Sequence, residues 1–139
     1  MDTSKAEGFL AEHNRCVLIT LRRDGRPQSS NVVYDFADGL IRISVTADRA
    51  KSRNLARDPR VSVHVSSDDF WQYVVAEGVA ELSSVSEAPG DEVGRELAAV
   101  NEAVAGQPHS DWDEFFQAMV DERRLVIRIR PERFYGQVR

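Results

Sequence analysis

The chain has 139 residues, 42% of them hydrophobic and 29% charged, so it can bury a core and is too apolar for a disordered segment. A formal charge of −5 argues against broad nucleic-acid binding, and no apolar run reaches the length of a membrane span. The start, Met1 to Lys5, has no signal-peptide apolar region, so a single domain over residues 1–139 in the cytoplasm is expected.

Residues 3–14 have a weak helical pattern around Phe9 and Leu10, with Thr3 or Ser4 as the cap. Cys16 to Leu21 is apolar almost throughout and reads as a central strand. Its lone cysteine, Cys16, excludes an internal disulfide and reads as a small buried hydrophobe rather than a nucleophile. Asp24-Gly25 and Asp38-Gly39 each lie between strand-like runs and predict hairpin turns, which makes Pro27 to Phe36 and Leu40 to Val45 the next two strands. A short helix is expected from Asp48, its N-cap, to Arg57. Asp58-Pro59 ends it, because the residue before a proline is pushed out of the α region.

Val61 to Val65 alternates as a strand, and Trp71 to Leu82 forms a longer one in which Gly78 marks a bulge. Asp91 to Val104 is amphipathic through Val93, Leu97, Val100 and Val104. Trp112 to Val120 makes a shorter helix whose Trp112, Phe115, Phe116 and Met119 read as core. Leu125 to Ile129 and Arg133 to Val138 close the chain as two strands. About seven strands, mostly antiparallel, with flanking helices predict a mainly β (α+β) fold that closes or nearly closes into a barrel to remove its edges.

One stretch stands out chemically against the acidic background. Thr46 to Leu55 places Arg49, Lys51 and Arg53 at the start of the short helix, with Ser52 among them and Arg57 beyond. Cations there oppose the helix macrodipole, which is poor for stability but suits the capture of an anion by free backbone N–H groups, arginine forks and a hydroxyl. The competing reading is a solvated basic surface. No Gly-rich dinucleotide fingerprint, Walker A motif, Cys-x-x-Cys pair or Gly-x-Ser-x-Gly elbow is present. His13, His64 and His109 match no metal-ligand spacing, so no metal is expected. No acid–base pair stands out among the scattered carboxylates. An enzyme built this way would take its reactive atom from a bound cofactor.

The order of these elements, with Arg26-Pro-Gln-Ser-Ser-Asn31, Asp48-Arg-Ala-Lys-Ser-Arg-Asn-Leu55 and Asp58-Pro59-Arg60, resembles the pyridoxamine-phosphate-oxidase-like split β-barrel family, an FMN-binding-like fold. Trp71 to Gly78, His109-Ser-Asp-Trp112 and Arg123-Arg124 resemble its actinobacterial branch, which binds the deazaflavin cofactor F420. The resemblance implies a homodimer with two cofactor sites at the subunit interface, no membrane or nucleic-acid partner, and hydride transfer from reduced F420 to a small organic substrate. It implies that Arg49, Lys51 and Ser52 hold the cofactor phosphate and that Asn54 lies near the phosphate or tail. Gln28, Ser30 and Asn31 would meet the ring, and Val45 and Thr46 would lie along the ring and ribityl chain. Trp71 would reach the site from the other subunit, and Arg123 and Arg124 would meet the acidic polyglutamate tail.

Each assignment has a plainer competitor. For Trp71 it is core packing, for Arg123-Arg124 pairing with Asp121 and Glu122, and for Gln28 to Asn31 a merely outward strand face. Solvent or Tyr34 would supply the proton. The family's pyridoxamine oxidases carry a further C-terminal segment with basic substrate-binding residues, whereas this sequence stops at Arg139, so pyridoxamine phosphate oxidation is not the expected chemistry. The alternatives are an FMN-dependent oxidoreductase on the same fold and a non-catalytic F420- or flavin-binding carrier.

Overall fold

A computed structural model describes residues Met1–Arg139. In chain order the elements are α1 (Thr3–Glu12), β1 (Arg15–Leu21), β2 (Pro27–Val33), β3 (Asp35–Ala37), β4 (Leu40–Thr46), α2 (Ala50–Arg57), β5 (Arg60–Ser66), β6 (Tyr73–Leu82), α3 (Glu92–Ala105), α4 (Trp112–Asp121) and β7 (Arg124–Gln137). The strands form one antiparallel sheet in the order β2-β1-β5-β6-β7-β4-β3. The sheet curls until β2 approaches β4, giving a split β-barrel.

Period-two alternation drives the curl. Every second residue of β1, β4 and β5 is buried: Cys16, Leu18 and Thr20; Ile41, Ile43 and Val45; Val61, Val63 and Val65. These side chains, except Thr20, meet Val74, Ala76, Leu125, Ile127 and Ile129 in the main core, which α1 seals with Ala6, Phe9 and Leu10. Burial pushes the Cys16 thiol up to about 12, in keeping with a hydrophobe's role. The opposite face of β7 carries Val126 into a second, smaller core with Val93 and Leu97 of α3 and Phe115 and Met119 of α4.

Several elements differ from expectation. The stretch 27–36 is not one strand: β2 pairs with β1 at one edge of the sheet, β3 pairs with β4 at the other, and buried Tyr34 is the crossing point. The last two expected strands are instead one. Pro131 faces Gly78 where the β6–β7 register shifts, and a Cβ on Gly78 would lie 2.7 Å from the Arg130 carbonyl oxygen. Bulge and glycine together carry the strand past a residue with no N–H. Asp2, not Thr3 or Ser4, caps α1 by accepting from the Ser4 amide at 2.9 Å. β1 is central, yet Val17, Ile19 and Leu21 are only half-buried, so its second face is apolar without being covered.

Glu96 ties α3 to the sheet. Its carboxylate accepts a two-pronged bond from Arg128, with Nε at 2.9 Å, and lies 3.7 Å from Arg42, which pairs with Asp35 at 2.7 Å. The hydrogen bonds from Arg128 hold its carboxyl below the usual range, against the opposing cost of desolvation. A folded pKa below the unfolded one gives stability that is present above the unfolded value and lost as pH falls through the folded value. Glu96→Ala should therefore cost about 2 kcal/mol at neutral pH and flatten the acid side of a melting-temperature profile, as thermal melts across pH would show.

Candidate functional site

The start of α2, where an anion site is expected, is marked by an omission. The N-cap is Arg49, not Asp48, and it makes no side-chain capping bond. A helix start normally places Ser, Thr, Asp or Asn here to satisfy the first amides. In this helix the N–H groups of Ala50 and Lys51 bond to no protein acceptor. Donors left open beside a positive helix end suit a phosphate.

The basic run divides into two sets. Arg53 donates to the Asp48 carbonyl, Arg57 to the Leu21 carbonyl and to Asn54 Oδ1, and Arg60 pairs with Asp58 at 2.8 Å. These three are used within the fold. Arg49 and Lys51 have no acidic partner. Partial burial first, and then the charges of Arg49 and Arg124, hold the Lys51 ammonium below its ordinary value.

Arg124 reaches this cluster from β7, where it pairs in register with Thr46. Its Nε donates to Glu122 at 2.9 Å and its Nη1 to Ser44 Oγ at 3.2 Å. Thr46 Oγ1 is buried without a hydrogen-bond partner. Its hydroxyl does help to hold the Asp48 carboxyl below the usual range, but the approach does not reach hydrogen-bond geometry. Ser52 Oγ donates to the Thr46 carbonyl at 2.9 Å, pinning the helix to the strand end. Free amides, two unpaired cations, a third arginine and an orphaned hydroxyl fit an anionic group such as a phosphate.

The remaining expected residues are distributed unevenly. Asn54 donates to Thr20 Oγ1 at 3.1 Å, Thr20 donates to Gln28 Oε1 at 3.2 Å, and Gln28 Nε2 donates to Ser30 Oγ at 3.0 Å. Gln28 and Ser30 thus share one face and are bonded, through β1, to α2. Asn31 points to the other face, into a groove with Val17 and His64. The Val45 side chain lies in the core, leaving only its backbone available to a ligand. Arg123, at φ 54, occupies the exposed turn before β7 and makes no ion pair, whereas Arg124 makes the expected pair with Glu122.

Trp71 is not core: it is 67% exposed at the β5–β6 hairpin tip, edge-on to Phe70. Tyr34 cannot serve as a proton donor to a ligand, since it is 1% exposed and its hydroxyl donates to the Leu10 carbonyl at 2.7 Å. Burial raises its pKa far above the ordinary value.

The family described as pyridoxamine 5'-phosphate oxidase matches residues 3–137. The chain belongs to this family. Similar solved structures include an F420 reductase, 26% identical over 94% of this chain and 96% of its own, with a TM-score of 0.69. A conserved hypothetical protein from Mycobacterium tuberculosis is 27% identical over 98% of this chain and 84% of its own, with a TM-score of 0.78. A heme binding protein from Mycobacterium smegmatis is 27% identical over 96% of this chain but only 56% of its own, with a TM-score of 0.66.

Two residues beside these groups in this family member were not expected there from sequence: Ser44 and Thr20. Thr20 had a signal, a hydroxyl at a core-facing position of an apolar strand. Ser44 had none beyond alternation. Because Lys51 is partly buried among like charges, Lys51→Met should raise the melting temperature of the ligand-free protein. The same change should weaken inorganic phosphate binding by about tenfold, as calorimetric titration of both proteins would reveal.

Proposed function

We propose that this chain is an F420H2-dependent reductase, working as a homodimer on a small organic substrate. The observation that carries the reading is the pair Arg49 and Lys51, unpaired cations beside Arg124 at an uncapped helix start. Such an arrangement costs stability and gains a phosphate-bearing ligand. When bound, the reduced cofactor supplies a hydride to an electrophilic carbon. Arg49, Lys51 and the first amides of α2 hold its phosphate. Thr46 Oγ1, buried and unpartnered, offers a hydrogen bond to the polar chain next to that phosphate. Gln28 and Ser30, held through Thr20 and Asn54, present amide and hydroxyl groups toward the ring. With Tyr34 sealed in the core, the proton comes from solvent.

The similarity to an F420 reductase over nearly the whole chain supports the deazaflavin, as does unpaired Arg123 for an acidic tail. One observation favours FMN as a second reading: Arg124 is already engaged by Glu122 and Ser44, which leaves a single free arginine for a tail. FMN has no such tail to bind.

Dimerisation is supported by the uncovered sheet face. Val33, Val79 and Tyr135 are 48%, 49% and 49% exposed around half-buried Val17 and Ile19. Arg60, Ser62 and His64 of β5 lie between these apolar side chains, and a face of apolar and polar groups mixed in this way suits an interface between copies. Trp71 lies beyond one end of β6 and the anion cluster beyond the other, and a ten-residue strand spans roughly 30 Å. Trp71 therefore reaches a cofactor only on a second copy. Tyr135→Asp with Val79→Asp should yield monomers by size exclusion with light scattering.

Parallel anisotropy titration with F420 and FMN tests the cofactor. F420 should bind more tightly, and Arg49→Ala with Lys51→Ala should weaken it about a hundredfold, two charge-assisted bonds being lost. Preference for FMN would overturn the deazaflavin, and unchanged affinity in the double variant would overturn the phosphate assignment.

A further inference from the structure

We propose that the gap beneath α3 and α4 is a binding site for an uncharged cyclic carbonyl compound. Protein interiors are close-packed, with few voids larger than a water molecule. Here the helix pair leaves a half-open cavity of about 380 Å³ between itself and the sheet, within the range of small-molecule pockets. The apolar part of the wall is Val33 from β2, Leu97, Val100 and Val104 from α3, and Phe115 and Met119 from α4. The Glu96 ion pairs with Arg128 and Arg42 tie α3 to the sheet beside it.

The polar lining selects the ligand. Arg124 contributes from the sheet, and with Nε and Nη1 engaged its Nη2 has no protein acceptor. His109 contributes from the loop between the helices. Its Nδ1 accepts from the Asp111 amide at 3.0 Å, so in the neutral ring the proton resides on Nε2, a donor. The Asn101 side chain, also on the wall, has its amide N–H donors free. Donors therefore wait for an acceptor, while Glu122 offsets the charge of Arg124 and Glu114, without a cationic partner on the same wall, disfavours an anion. A ring with a carbonyl oxygen meets both conditions. That this compound is the substrate rests on the reductase reading, because Arg124 is shared with the anion cluster; its binding does not.

The test uses the intact chain without cofactor and three probes of matched size: 1-tetralone, tetralin and tetralin-1-carboxylate. Calorimetry should show 1-tetralone binding about tenfold more tightly than either analogue. Ala118→Phe, which fills the cavity from α4, should weaken 1-tetralone about tenfold while leaving inorganic phosphate binding unchanged. Should that variant misfold, Ala118→Leu and nuclear Overhauser contacts from 1-tetralone to the Phe115 ring decide the same question. No binding, equal binding of all three probes, or undiminished binding to a folded cavity-filled variant would overturn the proposal. Retained 1-tetralone binding with neither F420 nor FMN bound would support the cavity and sink the cofactor reading. Cofactor binding without 1-tetralone binding would sink the cavity alone.

Discussion

The structure depends on one crossing. β2 and β3 are consecutive in the chain yet occupy the two edges of a single sheet, and Tyr34 between them is buried with its hydroxyl on the Leu10 carbonyl. A buried tyrosine needs a hydrogen-bond partner, and this one fastens α1 across the interior. The sheet must then curl far enough for one chain to bridge its edges in a single residue. That curl brings β2 toward β4 and creates a seam, and the anion cluster and the cavity under α3 and α4 both adjoin it.

Charge is managed differently toward the two ends of the β4–β7 pair. Glu96, Arg128, Arg42 and Asp35 satisfy one another, as partly buried charges must if they are not to destabilise the fold. Arg49 and Lys51 are left without a counter-charge, next to a helix start without a cap. Local rules of stability are broken there and kept elsewhere, the pattern expected of a functional site.

The polar line Arg57, Asn54, Thr20, Gln28 and Ser30 links those two observations. It passes through the fully buried Thr20, where an unmet hydroxyl would be costly. Every member has a partner, so the line works as a strut between α2 and β2. A ligand held at the start of α2 would thus meet a strand whose amide and hydroxyl groups are already oriented.

The sequence alone placed most of the strands, the end of α2 and its basic start, because alternation, Asp-Gly turns and Asp58-Pro59 are local in origin, but it misplaced the N-caps of α1 and α2 by one residue or more. It also foretold the Gly78 bulge, since glycine inside a strand marks a close backbone approach. Its count of about seven strands agreed with the structure through two opposite errors, the split at Tyr34 and the merger across Pro131, both decided by the partner strand rather than the local pattern. Only the tertiary structure decided which cations are free. Arg53, Arg57 and Arg49 look alike in the chain, yet two find carbonyl oxygens and one finds none. It alone brought Arg124 and Ser44 to Lys51 and turned Asn31 away from Gln28, because pairing partners and the face of a strand are set by long-range register.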